Sequence, residues 1–250
     1  MISYKASPAH DILMAEHCII NISRFRAVLF DMDGVITDTM PVHLKAWQEA
    51  FKPYGVTVEK MDVYLREGMT SKTMAESIAG EKQKSLTAEE LEKIVAAKSA
   101  FFDREVSAHV KVFEGVPGIL RMIRNNGIKT ALVTGSRAQS VKAVLHKAGI
   151  EDLFDLIITG DDTKTGKPSP DPYLTAMRRL GISRINCVVV ENAPLGIQSA
   201  KAAGAEYVIA VTTSLDASYL KDADDVMASV AELETCLARR FAALPGPASP

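Results

Sequence analysis

Two acidic residues in one short turn offer the clearest chemistry in this sequence. Asp31 and Asp33 come directly after the apolar run 27–30, which predicts a buried parallel strand, and Gly34 follows them. Carboxylates this close repel each other unless a cation lies between them or one of them binds a proton. An oxygen-ligated cation such as Mg²⁺, together with a phosphoryl group, meets that requirement. The alternative is an ordinary acidic turn, because Asp and Gly are common turn residues.

Two later segments carry side chains that suit a phosphoryl group. In the segment 132–136, the hydroxyls of Thr134 and Ser136 flank Gly135 just before a predicted helix, and such a helix N-terminus binds phosphate oxygens. The same pattern also occurs in ordinary helix caps. Lys167, in the segment 166–171, is a cation of the kind that screens the charge between a nucleophile and a phosphoryl group.

A fourth group of polar residues follows another apolar run. Glu191 and Asn192 come directly after the run 188–190, and their side-chain oxygens are suitable ligands for Mg²⁺. In open α/β sheets, ligands bind outside the carboxyl ends of the strands. We therefore expect these residues to lie near Asp31 and Asp33.

The rest of the sequence alternates between strand-like and helix-like segments. Apolar runs predict strands at 27–30, 129–134, 156–159, 186–190 and 207–211. Helical patterns predict the helices that connect them at 116–126, 137–147, 170–180 and 193–203. Repeated βα units of this length predict an α/β fold with a doubly wound, Rossmann-like parallel sheet.

The segment that follows the acidic turn differs, because it contains only helical patterns. It predicts a helix over 41–54, two short helices within 61–79, and a helix from Thr87 to about residue 106. We therefore predict an all-helical cap at 41–111, inserted into a core formed by 26–40 and 112–240. The predicted organisation is completed by an N-terminal extension, 1–25, and a flexible proline-rich tail, 241–250. A cap inserted at this point lies over the candidate site and can act as a lid.

Composition excludes several functional classes. Of the 250 residues, 47% are apolar and 24% charged, and the net charge of −2 predicts no affinity for nucleic acid or anionic membranes. No run of about 18 apolar residues is present, so no membrane span is predicted. The cysteines, Cys18, Cys187 and Cys236, are far apart and in no metal-ligand spacing, which predicts a cytoplasmic protein without disulfides. We expect a monomer or a small homo-oligomer.

The acidic turn and the three later segments, taken in this order, resemble the four motifs of the haloacid dehalogenase superfamily. The resemblance covers about residues 26–235 and is strongest to the group of β-phosphoglucomutase and related phosphatases, which carry a helical cap after the first motif. It implies that Asp31 is a nucleophile that forms an aspartyl-phosphate, and that Asp33 is the general acid and base. It also implies that Thr134 binds phosphate, that Lys167 screens charge, and that Mg²⁺ is the cofactor. The implied ligands of Mg²⁺ are Asp31, Asp33, Asn192 and Glu191.

The resemblance also implies a set of substrate-binding residues. On the core side these are Gly135, Ser136 and Arg137, at the start of the helix after the second motif. On the cap side, His43 and Lys98 match residues of β-phosphoglucomutase.

Two departures from the family pattern affect these expectations. Asn192 stands where aspartate is commonest, and its amide carries one negative charge less, which predicts weaker Mg²⁺ binding. The cap arginine that grips phosphate has no clear counterpart, with Arg66 or Lys72 as candidate substitutes. Glu67 has two interpretations. It either reaches the metal and restores the charge lost at position 192, or it is a solvated surface residue.

These patterns predict a Mg²⁺-dependent phosphatase that hydrolyses a small phosphorylated metabolite, either a phosphate monoester or pyrophosphate. The main alternative is β-phosphoglucomutase, in which a sugar hydroxyl rather than water accepts the phosphoryl group. His43 and Lys98 favour the mutase, whereas the missing cap arginine and the pair Glu67 and Asn192 disfavour it. A second alternative is a non-catalytic protein that binds a phosphorylated metabolite.

Overall fold

The protein is built on a central parallel β-sheet. A computed structural model describes residues 19–243, and its six strands lie in the order β3-β2-β1-β4-β5-β6. The strands are β1 (Ala27–Phe30), β2 (Lys129–Val133), β3 (Leu156–Ile158), β4 (Cys187–Glu191), β5 (Tyr207–Val211) and β6 (Asp225–Met227). Every neighbouring pair is parallel. The chain builds one half of the sheet from β1 to β3 and then crosses to the other side of β1. This reversal places a ligand-binding crevice at the carboxyl end of β1.

The described residues form nine α-helices in two groups. They are α1 (Met40–Phe51), α2 (Lys60–Tyr64), α3 (Ser71–Glu81), α4 (Ala88–His109), α5 (Val116–Asn125), α6 (Ala138–Ala148), α7 (Asp171–Leu180), α8 (Pro194–Ala202) and α9 (Val230–Ala242). Helices α1 to α4 lie in the predicted cap segment after β1, α5 leads from that segment into β2, and the others connect or follow the later strands. The predicted α/β fold with an inserted helical cap is therefore confirmed.

The sheet is covered on both faces because successive residues of a strand point to opposite sides. In β1, Val28 and Phe30 belong to one apolar cluster, which contains residues of α5, α6 and α9. Ala27 and Leu29 belong to a second cluster, which contains residues of α7 and α8. All four residues are buried, so β1 runs through the middle of the core and fixes the position of the turn that follows it.

Helix α4 links the cap to the core. It starts at a capping box, as predicted, in which the Glu90 N–H donates to Thr87 Oγ1 and the Thr87 N–H donates to the Glu90 carboxylate. Near its start, Ile94 is buried in a cluster formed mainly by cap helices. Near its end, Phe102 and Val106 are buried in the sheet-side cluster. One continuous helix therefore contributes to both hydrophobic cores.

The structure contains one strand that the sequence did not predict, and several helices end at residues other than those predicted. Strand β6 has three residues at the edge of the sheet and begins with Asp225, so it gives no apolar run of the kind that predicted the equally short β3. The helix predicted over 41–54 is α1 followed by the 3₁₀ turn Lys52–Tyr54, and α4 continues three residues beyond the predicted end, to His109. Within the predicted extension, Ile20 and Ile22 pack into the core, and α9 runs into the predicted tail. Residues 1–18 and 244–250 lie outside the described residues, and the predicted domain boundaries stay predictions.

The cysteines differ in part from the prediction. Cys187 is buried and free, as expected, and Cys18 lies outside the described residues. Cys236, buried in α9, is disulfide-bonded, so the prediction of a chain without disulfides is wrong. The sequence spacing gave no sign of this, because folding packs α9 against the N-terminal segment at 22–24. Among residues 19–243, no helix is both long and apolar enough to cross a membrane. The cytoplasmic location stays a prediction.

The cap core generates a prediction about local stability. Ile94 is completely buried, so Ile94→Ala should lower the free energy of unfolding of the cap helices by about 2–5 kcal/mol. Amide hydrogen exchange of α1, α3 and α4 measures this change. Ile185, which is 60% exposed, provides the control Ile185→Ala, for which we expect wild-type exchange. Equal exchange in Ile94→Ala and the wild type would contradict a separate cap core.

Candidate active site

Three strands end at the candidate site, in line with the sequence prediction. Asp31 follows β1, and its backbone N–H donates to the Val190 carbonyl of the neighbouring strand at 3.0 Å. Thr134 follows β2 and is fixed in the same way by the Ile158 carbonyl of β3, also at 3.0 Å. Glu191 is the last residue of β4. The main chain therefore holds these side chains at one edge of the sheet.

A buried lysine joins two of these acids. Lys167 Nζ lies 2.5 Å from Asp31 Oδ1 and 2.6 Å from Glu191 Oε1, and all three residues are buried. Burial raises the pKa of Asp31 to about 7, although the neighbouring Lys167 acts to lower it. Burial alone would lower the pKa of Lys167, but Asp31 and Glu191 outweigh it and raise the pKa well above its usual value. The lysine therefore stays charged.

Asp33 is surrounded by hydrogen-bond donors. Thr39 Oγ1 donates to its Oδ1 at 2.5 Å, and Ser136 Oγ donates to its Oδ2 at 3.2 Å. His43 Nε2 lies 3.1 Å from Oδ1, and Thr134 Oγ1 lies 3.5 Å from Oδ2. Burial alone would raise the pKa of Asp33, but His43 and Thr39 lower it to about 2. In this arrangement Asp33 is therefore an ionised carboxylate.

Asn192 connects the fourth motif to the first. Its Nδ2 donates to the Asp33 backbone carbonyl at 3.1 Å and to Ser214 Oγ at 2.9 Å. These contacts fix which way the amide points. Gly34 makes the approach possible, because it has φ of +98° and a Cβ at this position would collide with Asn192 Nδ2.

Two oxygens at the site are suited to a metal ion. Asp31 Oδ2 and Asn192 Oδ1 are buried and have no hydrogen-bond partner among residues 19–243. Burying such atoms unpartnered is costly, and Mg²⁺ would satisfy both. Both Glu191 oxygens, in contrast, already accept hydrogen bonds, from Lys167 and Tyr173 at Oε1 and from the Asn192 N–H at Oε2. No group of three His, Cys, Asp or Glu side chains in that part of the chain is arranged to hold a metal ion, so the ligand set we expect mixes a carboxylate with an amide.

An enclosed cavity lies between this site and the cap. It has a volume of about 20 Å³, and its lining includes His43, Glu67, Lys98, Gly135 and Ser136. Glu67 is only 8% exposed, so its interpretation as a solvated surface residue is wrong. Burial, together with Asp33 and Asp31, raises its pKa well above the usual value. The charged groups that line this space, Glu67 and Lys98, thus come from the cap, and the core contributes Gly135 and Ser136.

The two other polar cap residues in the cavity pack against aromatic rings. Lys98 Nζ lies 5.5 Å from the centre of the Trp47 ring and 4.9 Å from that of Phe102, and burial lowers its pKa to about 8. The His43 ring lies 4.2 Å from the Phe102 ring. Burial and the nearby Lys98 lower the pKa of His43.

Comparison with known proteins identifies the family. Residues 28–210 match the haloacid dehalogenase-like hydrolase family. The chain belongs to this family. A fructose-1-phosphate phosphatase of Escherichia coli is 34% identical over 188 residues, which cover 74% of this chain and 96% of the relative. Hexitol phosphatase A of the same organism is 30% identical, with 84% of this chain and 94% of the relative covered.

The fold of this chain is similar to a solved structure of β-phosphoglucomutase from Clostridium difficile. It is 25% identical to this chain, with a TM-score of 0.77, and the match covers 87% of this chain and 97% of that structure. Phosphatases and a phosphoglucomutase are thus among the relatives of this haloacid dehalogenase-like hydrolase. The protein is an enzyme that acts on phosphate esters.

Three basic residues considered for substrate binding lie away from the enclosed cavity. Arg137 is half-exposed, lies 3.6 Å from Asp103 of the cap, and lines a separate groove together with Lys72. Arg66 is held within the cap, since it donates to Ser77 Oγ at 2.8 Å and forms an ion pair with Glu81. In this arrangement, the titratable cap residues that line the cavity are His43, Glu67 and Lys98 instead.

The cap loop that carries Glu67 packs directly on the core of this haloacid dehalogenase-like hydrolase. Gly68 has φ of +89°, and a Cβ there would lie 2.5 Å from Lys167 Cδ. A Cβ on Gly135 or Gly166 would lie 3.0 Å or 3.2 Å from the Gly68 carbonyl oxygen. Glycines on both sides therefore allow the cap loop to lie close to the core loops that carry Gly135 and Lys167.

This contact predicts that Gly68→Ala impairs catalysis, because the new methyl group would displace the cap loop or the Lys167 side chain. A displacement of about 1 Å can cost about 100-fold in rate, which we expect in kcat/KM for a phosphate ester that the wild type hydrolyses. Gly55→Ala is the matched control, since Gly55 has φ of +67° but open space around its Cβ position. It should lose about 1–2 kcal/mol of stability and keep the wild-type kcat/KM. Equal kcat/KM for Gly68→Ala and Gly55→Ala would refute the contact argument.

Proposed function

We propose that this protein is a Mg²⁺-dependent phosphatase of a small phosphorylated metabolite and that it works through an aspartyl-phosphate intermediate. The observation that carries the proposal is the buried contact of Lys167 with Asp31 and Glu191 beside an enclosed cavity. Asp31 is fixed by the sheet, faces a cation, and has one unpartnered oxygen. Such a carboxylate is placed to act as a nucleophile.

In the first step, an Asp31 oxygen forms a bond to phosphorus while the bond from phosphorus to the leaving oxygen breaks. The leaving oxygen takes a proton from Asp33. The phosphoryl oxygens lie near Thr134 and Lys167, whose hydroxyl and ammonium groups stabilise negative charge. In the second step, a water oxygen attacks phosphorus, the bond to Asp31 breaks, and Asp33 takes the proton of that water.

The donors around Asp33 leave it ionised, which is the form that the second step needs, but a pKa of about 2 makes it a weak base. For both steps its pKa must be higher, and the negative charge of a bound phosphoryl group would raise it, since like charges disfavour ionisation. The same residue can therefore serve as acid when substrate is present and as base afterwards.

Mg²⁺ would be held by Asp31 and Asn192, with the Asp33 backbone carbonyl nearby, and when bound it would supply positive charge to the phosphoryl oxygens. Glu191 would act through Lys167, because both of its oxygens are occupied by protein donors.

The size of the cavity supports a small substrate. Its volume of about 20 Å³ is enough for about one water molecule, so even a short phosphate monoester or pyrophosphate would need the cap to open before it could enter. The cap groups His43, Glu67 and Lys98 would contact the leaving group.

The mutase remains a second candidate for one specific reason. His43 and Lys98, which match residues of β-phosphoglucomutase, both line the cavity next to Asp33. In a mutase, Asp33 would take the proton of a sugar hydroxyl instead of that of water. The two functions therefore differ in the acceptor, not in the phosphoryl-binding residues.

The experiment that tests the function measures phosphate release from short phosphate esters, sugar phosphates and pyrophosphate, with Mg²⁺ and with EDTA. We expect Mg²⁺-dependent release by the wild type, and none by Asp31→Asn, which retains the fold but lacks the nucleophile. Normal activity of Asp31→Asn would refute the assignment of Asp31. Absence of release from every substrate, followed by turnover of β-glucose 1-phosphate, would favour the mutase. No turnover in either assay would favour a binding protein.

Asn192→Asp tests the fourth motif. The change removes the two Nδ2 hydrogen bonds and places a carboxylate against the Asp33 carbonyl, so the metal-free protein should lose about 1–3 kcal/mol of stability. The added charge should tighten Mg²⁺ binding about tenfold. Thermal melts and calorimetric Mg²⁺ titrations measure the two effects.

Ser214→Ala is the control for Asn192→Asp, because it removes one hydrogen-bond partner of Asn192 without adding charge. It should lower the stability of the metal-free protein and should not tighten Mg²⁺ binding. Superimposable Mg²⁺ titrations of the wild type and Asn192→Asp would show that Asn192 is not a ligand.

A further inference from the structure

Tyr173 contacts the buried ion cluster from outside the four motifs. It lies in the first turn of α7, six residues after Lys167, and it is completely buried. Its hydroxyl donates to Glu191 Oε1 at 2.6 Å. Its ring faces the lysine, with Lys167 Nζ 5.1 Å from the ring centre. One side chain thus contacts both partners of the ion pair.

These contacts determine where the Glu191 carboxylate can lie. Oε1 accepts from Tyr173 and Lys167, and Oε2 accepts from the Asn192 N–H at 3.0 Å. Without the Tyr173 hydroxyl, the Glu191 carboxylate would keep its hydrogen bonds to Lys167 and to the Asn192 N–H. It would lose the one hydrogen bond that it accepts from α7. A lysine has a flexible four-carbon stem, so the position of its ammonium group depends on what holds it. Glu191 and the Tyr173 ring together hold Lys167 against Asp31.

Packing explains the ring of Tyr173 but not its hydroxyl. The ring lies in the apolar cluster with Ala176, Met177 and Ile197, where phenylalanine would fill the same space. A buried hydroxyl is costly without a partner. Its partner here is an acid that itself binds the lysine.

We propose that Tyr173 is a positioning residue, whose hydroxyl fixes the Glu191 carboxylate and thereby holds Lys167 at the nucleophile Asp31. The proposal rests on the proposed phosphatase function. Residues that orient the groups in direct contact with the reaction typically contribute about 10- to 100-fold to activity. Tyr173 should act on the rate of the chemical step and not on substrate affinity, because it lies behind the ion cluster and does not line the cavity.

The test is Tyr173→Phe, which keeps the ring and removes the hydroxyl. We expect kcat for phosphate release to fall about tenfold, with KM changed less than about twofold. Tyr207→Phe is the matched control, because the Tyr207 hydroxyl is also buried but has no partner among the described residues. It should keep the wild-type kcat and KM.

A double-mutant cycle with Glu191→Gln separates positioning from a general loss of active protein. If Tyr173 acts through Glu191, Tyr173→Phe should lower kcat in the wild-type background and have little further effect in the Glu191→Gln background. An equal loss in both backgrounds, or wild-type kcat for Tyr173→Phe, would overturn the proposal. Tyr173→Met serves as a second variant, and failure of both variants to fold would show a structural residue and likewise overturn it. A wild type without any phosphate release would instead refute the proposed function.

Discussion

The buried cluster of Lys167, Asp31 and Glu191 is the constraint on which the site depends. Removing charges from water is costly, and the cost is offset only where each charge meets partners in good geometry. Here one cation faces two carboxylates at 2.5 Å and 2.6 Å, so the cluster carries a surplus of negative charge. That surplus contributes to the raised pKa of Asp31, because Glu191 and Asp33 both disfavour its ionisation. A cation bound beside Asp31 would offset this surplus of negative charge and favour the ionised carboxylate.

The sheet and the cap each hold one side of this cluster. Asp31 and Glu191 are fixed because β1 and β4 are neighbours in register, with Phe30 beside Val190. Lys167 comes from the loop before α7, and the cap loop touches its stem at Gly68. The position of the cap and the position of the lysine are therefore linked through a direct contact. A movement of the cap loop would also affect the surroundings of Lys167.

Much of the site was predictable from the sequence because of a simple geometric rule. Side chains that follow parallel strands share one edge of the sheet, so Asp31, Thr134 and Glu191 could be placed together from apolar runs alone. The family resemblance then assigned their roles. Strand β6 was not predicted because it begins with Asp225 and has only two apolar residues, whereas all three residues of β3 are apolar.

The features that were not predicted depend on contacts between distant parts of the chain. The burial of Glu67 follows from how the cap loop lies on the core, and the Arg66 contacts to Ser77 and Glu81 are set inside the cap. The sequence indicates only a core aromatic residue at Tyr173, because the hydrogen bond from its hydroxyl to Glu191 forms between distant segments. Ser214 lies 22 residues from its partner Asn192, and no spacing connects them. Such contacts exist only once the elements are packed.

The continuity of α4 determines how the cap can move. With 22 residues, the helix is about 33 Å long, and its last turns are embedded in the sheet-side core through Phe102 and Val106. If α4 moves as a rigid helix about its C-terminal end, each residue is displaced in proportion to its distance from that end. Lys98 lies one turn before Phe102, close to the fixed end, so it would move little. An opening motion of the cap would therefore leave the positive charge of Lys98 near the core, where it would attract an incoming anion.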